Sequence, residues 1–212
     1  MIQLHDVPHF LLKENEASAL FYLRKKVFKD RLEWAVKCSD DKEIDEYDTD
    51  NATYLIGKYY GDIICSVRLI QIDKPNMLRC GVFNSFFDNI NVPTGHYLEA
   101  SRLFIDKDKI KEFDLSKHPL CGLIFFSMVN FARKHGYRGI YTIVSAPMLV
   151  IYRRSGWDVQ ILESGFSEKG ELVYYLFLPI DNAYTTKLCH KVDSESLDIG
   201  SDCITYSCKS AV

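Results

Sequence analysis

Hydrophobic and polar positions alternate with two periods along the chain, and the change from one period to the other predicts the elements. Ile2, Leu4 and Val7 alternate with polar neighbours, which suits a short strand. From Glu16 to Leu32, Leu20, Leu23 and Val27 form one stripe with Phe21 and Phe28 beside it, so an amphipathic helix is expected, basic on its other face. Residues 39–51 are acidic and loop-like, the usual mark of a solvated loop. TYLIGKYY and IICSVRLIQI flank Gly61-Asp62 and predict a hairpin turning there. After an excursion over residues 74–95, HYLEASRLFI reads as a strand. A helix is then expected with Ser116 as its cap, Leu120, Leu123, Ile124 and Phe131 on its buried stripe, and Gly136 ending it. GIYTIVS predicts a strand, Pro147 to Gly156 a shorter helix, and WDVQILE with ELVYYLFLPI a closing pair of strands. The order mixes antiparallel pairs with one βαβ crossover.

Beyond Asp181 the pattern thins. Residues 1–182 are therefore expected to form one domain, and residues 183–212 a disordered or loosely attached tail. With 212 residues, 47% of them hydrophobic and 26% charged, the chain has enough apolar material for a sizeable core. No run reaches the roughly 18 to 20 apolar residues a membrane helix needs, and MIQLHDV does not resemble a signal peptide. A net charge of −3 lacks the excess of basic residues typical of nucleic-acid binders. Seven scattered cysteines, none spaced C-x-x-C, suggest reduced thiols in the cytoplasm and no disulfide framework or zinc site.

No phosphate loop, dinucleotide fingerprint, H-E-x-x-H or nucleophile elbow occurs, and the six histidines lack ligand spacing, so no metal and no bound cofactor are expected. Charges written into apolar elements are more informative. Arg24 falls on the buried stripe of the first helix, Arg68 interrupts IICSVRLI, and Glu99 and Arg102 interrupt YLEASRLF. An inward charge costs several kcal/mol unless paired, so each is either a structural ion pair or part of a polar site. With Asp45 and Asp48 upstream and Phe28 and Trp34 beside them, a polar ligand pocket is the better account of the group.

LRKKVFKDRLEW, D-E-Y-D at 45–48, CSVRL, EASR, IYTIVS and RRSGW, in this order, resemble the acyl-homoserine-lactone synthases, the autoinducer synthases of bacterial quorum sensing. The resemblance runs from Met1 to about Pro179. It implies an α/β, N-acetyltransferase-like (GNAT-type) three-layer fold with a central mixed, V-shaped β-sheet. It also implies a reaction: transfer of an acyl group from acyl carrier protein to S-adenosylmethionine, releasing an N-acyl-homoserine lactone, holo carrier protein and methylthioadenosine. Arg24, Phe28, Trp34, Asp45, Asp48, Arg68, Glu99 and Arg102 match the family's invariant positions.

That substrate suits these residue types. Phe28 and Trp34 can stack on adenine or face the sulfonium, Asp45 and Asp48 can pair with cationic or hydroxyl groups, and Arg24, Arg68 and Arg102 can fork onto a carboxylate or hold the acids. Glu99 is the candidate base, because acyl transfer needs the free amine. By resemblance, Thr142 is tied to 3-oxo acyl chains, with Ala100, Ser101, Met128, Val144 and Leu178 as the other acyl-pocket positions, giving a 3-oxohexanoyl or hexanoyl product. Lys134, Arg138, Arg153 and Arg154 are the expected docking surface for an acidic carrier protein. No membrane, nucleic acid or obligate protein subunit is expected. The alternatives are an acetyl-coenzyme A acetyltransferase and a small-molecule sensor on the same fold. Against the first, the connection DKDKIKEFDLSKHPLCG has no glycine before Gly122. The second has no need of Glu99.

Overall fold

The computed structural model describes residues 1–192, 196–200 and 203–208. In chain order its elements are β1 (Ile2–Pro8), α1 (Glu14–Arg24), a π-helical stretch Lys25–Arg31, β2 (Cys38–Ser39), β3 (Lys42–Glu43), β4 (Ala52–Tyr59), β5 (Asp62–Gln71), β6 (Leu98–Ile105), α2 (Lys107–Glu112), α3 (Leu120–Lys134), β7 (Ile140–Ser145), α4 (Ala146–Ser155), β8 (Gln160–Phe166), β9 (Leu172–Leu178), α5 (Asn182–Lys191), β10 (Leu197–Ile199) and β11 (Cys203–Tyr206). The backbone divides into two compact units. Met1–Arg68, Arg102–Leu120 and the described residues from Ser196 to Cys208 form the first; Leu69–Ser101 and Cys121–Val192 form the second. Hydrophobic spacing cannot show this division, because β5 and β6 each contribute residues to both units.

In the first unit the strand neighbours run β10-β11-β1-β4-β5. β1 lies antiparallel to β4 on one side and to β11 on the other, with Ile2 opposite Tyr59 and Tyr206. The tail expected to be loose is therefore built into the fold over its described residues. Few apolar side chains suffice there, because main-chain pairing covers the β1 edge while Leu188, Val192, Ile204 and Tyr206 are among those buried. α1 buries Leu20, Phe21, Leu23 and Arg24 as its stripe predicts, but its continuation winds as π-helix, with Leu32 N–H bonded to Val27 C=O. The hairpin turns at Tyr60-Gly61, one residue before the expected Gly61-Asp62, with φ of 49° and 89°. Both residues are left-handed, as the twist of a two-residue hairpin demands.

In the second unit the strand neighbours run β6-β7-β9-β8, with β7 parallel to β6 and the other pairs antiparallel. On one face, Phe125 of α3 stacks on Tyr152 of α4 at 4.3 Å and meets Trp157 at 5.9 Å. On the other, the 74–95 excursion supplies Leu78 and Phe87 to a core with Ile72, Val173 and Tyr175. α5 joins through Arg133, whose Nε donates to Ile180 C=O at 2.7 Å and whose Nη2 donates to Thr185 Oγ1 at 2.8 Å. α3 begins at Leu120, after Pro119, so Ser116 is not its cap. The intervening α2, capped by Asp106 onto Asp108 N–H at 3.0 Å, has no apolar stripe to announce it. Gly136 ends α3 as expected, with φ of 71°. Among the described residues no helix is long and apolar enough to cross a membrane.

Candidate active site

The acidic stretch is not a solvated loop. β2 and β3 form a small hairpin through Asp40 and Asp41, both at positive φ, and this folds Glu43 inward until its side chain is fully buried. Two residues later Asp45 and Asp48 lock each other: Asp45 N–H donates to Asp48 Oδ2 at 2.9 Å, and Asp48 N–H to Asp45 C=O at 3.1 Å.

Three arginines converge on these acids. Arg24, the last residue of α1, donates from Nε to Glu43 Oε2 at 2.5 Å and from Nη1 to Asp48 Oδ1 at 2.7 Å. Arg68 on β5 forks onto Asp45, Nη1 to Oδ1 at 2.5 Å and Nη2 to Oδ2 at 3.1 Å, and also reaches Asp48 at 2.9 Å. Arg102 on β6 pairs with Glu43 Oε1 at 2.9 Å and Asp45 Oδ2 at 2.8 Å. Three positive and three negative formal charges cancel, which is how six ionised side chains tolerate burial. Arg102 achieves this from a left-handed backbone, φ 55°, inside a strand. Such a conformation costs an L-residue roughly 1 to 2 kcal/mol, offset here by two ion pairs.

The sequence points to Arg24, Asp45, Asp48, Arg68 and Arg102 but leaves Glu43 as one acid in a run. Its alternation in β3, buried beside half-buried Lys42, involves too few residues to read. With Glu43 in place, both acids are engaged by arginines, so they anchor the guanidiniums and do not stand free for a cationic ligand. One donor is left over. Arg24 Nη2 is buried, its ion-pair partner Asp45 Oδ2 at 3.8 Å is beyond hydrogen-bond reach, and it has no acceptor among the described residues. A buried donor without an acceptor costs about 1 to 3 kcal/mol.

Burial favours the neutral form of Asp48, but the Arg24 and Arg68 guanidiniums outweigh it and hold the carboxyl well below the usual carboxylate range. Its native carboxyl thus binds a proton less readily than the unfolded chain's, whose ordinary value is 3.8. The stabilisation is complete above that value and is lost as acid protonates the native carboxyl. The melting temperature is expected to hold from pH 7 to about 5 and to fall steeply below about 4. A flat profile down to about pH 3 in scanning calorimetry would show that Asp48 is not held this way.

Phe28 and Trp34 come together as a stacked pair, centroids 5.1 Å apart at 19°. Phe104 meets Phe28 edge-on at 6.4 Å and the Arg102 guanidinium lies 5.7 Å from its centroid, so Phe28 is enclosed; Trp34, 38% exposed, presents a ring to solvent.

In the second unit Glu99 is buried and its Oε2 accepts the Leu78 N–H at 2.9 Å. Thr142 Oγ1 donates to Ala100 C=O at 2.8 Å, a bridge from β7 to the neighbouring β6. Ala100, Met128, Val144 and Leu178 are buried and Ser101 is partly exposed. Lys134, Arg138, Arg153 and Arg154 are all exposed, at the ends of α3 and α4.

Solved N-acyltransferases share this fold. BjaI, described as a CoA-dependent acyl-homoserine lactone synthase and determined with MTA, superposes with a TM-score of 0.78 at 20% identity, covering 91% of this chain and 90% of its own. Its structure with SAM and isopentyl-CoA gives 0.76 at 18% identity, covering 91% and 90%. An acyl-CoA N-acyltransferase from Pseudomonas aeruginosa gives 0.59 at 14% identity, covering 84% of this chain and 99% of its own. The fold is thus the GNAT-like one, a mixed α/β architecture built on a large mixed sheet. The family model described as "Autoinducer synthase" matches residues 8–188, and the acyl-homoserine-lactone synthase of Serratia liquefaciens is 46% identical over 200 residues, 94% of this chain and 100% of that protein. This chain therefore belongs to the autoinducer synthase family, whose members are acyl-homoserine-lactone synthases.

Proposed function

We propose that the enzyme acylates S-adenosylmethionine with a hexanoyl or 3-oxohexanoyl group carried by acyl carrier protein and closes the product to an N-acyl-homoserine lactone. The observation that carries this reading is the open donor of Arg24: a buried guanidinium Nη2 inside a charge-balanced network is suited to a substrate carboxylate, which would satisfy it. Trp34 supplies an exposed aromatic face for adenine, with Phe28 fixing its angle. Asp45, Asp48, Arg68 and Arg102 hold the guanidinium in place. Glu99 takes the proton from the α-amino group, directly or through water, as the amine attacks the thioester carbonyl and the carrier's thiolate leaves. In the second step a carboxylate oxygen attacks the carbon next to the sulfonium. The carbon–sulfur bond breaks with its electron pair on sulfur, and methylthioadenosine departs as a neutral thioether. No base is required for that closure, because the leaving group is already positively charged. These substrates imply a cytoplasmic location.

The carrier is proposed to dock on Lys134, Arg138, Arg153 and Arg154. Exposed rim charges act mainly on encounter rate, so the KM for carrier protein should rise with salt. A 3-oxo preference through Thr142 asks that its hydroxyl rotate away from Ala100 C=O, trading one hydrogen bond for another. Thr142→Val should therefore shift the ratio of 3-oxohexanoyl to hexanoyl product by no more than about fivefold.

The test is direct. Purified protein with S-adenosylmethionine should convert hexanoyl and 3-oxohexanoyl carrier protein to lactone and methylthioadenosine in equal amounts by mass spectrometry, faster than it uses the matching CoA thioesters. Faster turnover of the CoA thioesters would transfer the donor role to CoA, and absence of lactone with either donor would refute the reading.

A further inference from the structure

A hydrogen-bonded chain enters the charged network from residues that no part of the proposed reaction uses. Tyr54 on β4, 1% exposed, donates its hydroxyl to Asp48 Oδ1 at 2.8 Å, the same oxygen that receives Arg24 Nη1 and Arg68 Nη1. Behind it, half-buried His9 places Nδ1 3.1 Å from Tyr54 Oη, in the short turn that follows β1. The direction of the chain is forced. Asp48 is ionised and can only accept, so the single phenolic proton goes to it. Burial, and then the charge of Asp48, hold that phenol protonated well above its ordinary range. Only lone pairs of Tyr54 remain toward His9, so His9 Nδ1 carries a hydrogen and donates. The Tyr54 ring is fixed independently of these bonds by Phe21, edge-on at 6.3 Å, and by the His9 ring at 6.0 Å.

We propose that Tyr54 and His9 are positioning residues that orient the Asp48 carboxylate and, through it, aim the open Nη2 of Arg24 at the substrate. The inference rests on the reading of Arg24 as the contact for the S-adenosylmethionine carboxylate. A chain of hydrogen bonds polarises each of its members, so loss of either donor should weaken the same contact rather than two separate ones.

The experiment is a double-mutant cycle read by calorimetric titration of S-adenosylmethionine into the full chain, with unfolding midpoints measured in parallel. Tyr54→Phe, which keeps the ring packing, should weaken binding about 10-fold and His9→Leu about 5-fold. The double variant should bind no worse than Tyr54→Phe alone. His9→Asn, whose amide places a donor near the position of Nδ1, should recover affinity to within about twofold of wild type. A structural contribution alone would lower the midpoints without coupling the affinities. Unchanged binding in Tyr54→Phe, a double loss near the product of the two singles, or no rescue by His9→Asn would each overturn the proposal. If Tyr54→Phe does not fold, the half-buried His9 pair carries the test through loss and rescue. Wild-type protein that fails to bind S-adenosylmethionine would instead refute the functional reading and this inference with it.

Discussion

Glu99→Gln should lower the turnover of acyl donor and S-adenosylmethionine by about 10² to 10⁴, the range expected when a general base is removed. Gln is nearly isosteric and keeps an oxygen for the Leu78 N–H, which bonds the carboxylate at 2.9 Å, so the 74–95 excursion should stay in place. The melting temperature is accordingly expected to change little while rate is lost, and the separation of the two measurements makes the result informative. A variant with more than half of wild-type turnover would remove Glu99 from the chemistry. A variant that loses rate and folding together would make it an anchor of the excursion.

The largest expected effect on stability belongs to Glu43→Ala. Glu43 is the shared partner of Arg24 Nε at 2.5 Å and of Arg102 Nη2 at 2.9 Å, all three side chains being nearly or fully buried. Removing it leaves two guanidiniums inside the first unit with one carboxylate fewer than the cluster needs for neutrality. Breaking a buried pair from one side typically costs about 3 to 5 kcal/mol, much more than an exposed pair is worth. Arg102 adds to this, because its left-handed backbone at φ 55° is held against local preference by these contacts. Urea unfolding should therefore show a loss of about 3 to 5 kcal/mol, with Glu43→Gln losing less because an acceptor remains. A loss below about 1 kcal/mol would mean that the network relaxes around the gap.

Much of the protein was legible in its residues. Periods of two and of 3.6 located β1, the hairpin strands, β6, α3, β7 and α4, because each packs one face and repeats its apolar residues at that spacing. Arg24, Arg68, Glu99 and Arg102 stood out for the same reason inverted: a charge on a buried face must be answered by something. What answers it lies far along the chain. Glu43 comes 19 residues after Arg24 and 59 before Arg102, and nothing in the acidic run distinguishes it from Asp40 or Asp41, which face solvent in the same hairpin.

Other features were invisible because backbone geometry carries them. The π-helical turn after Arg24, the left-handed Arg102 and the placement of the hairpin turn at Tyr60-Gly61 involve no change in hydrophobic spacing. The pairing of β11 with β1 depends on main-chain hydrogen bonds between residues about 200 positions apart, for which a side-chain pattern holds no record. Local spacing and side-chain type thus sufficed for most elements from β1 to β9, the mixed α/β class and the residues in need of partners, since these follow from which surfaces must leave water, while the family was read from the resemblance of its motifs. Which acid meets which arginine, which donor stays open and which strand covers an edge depended on long-range closure of the chain, where the contact energies exist only after folding.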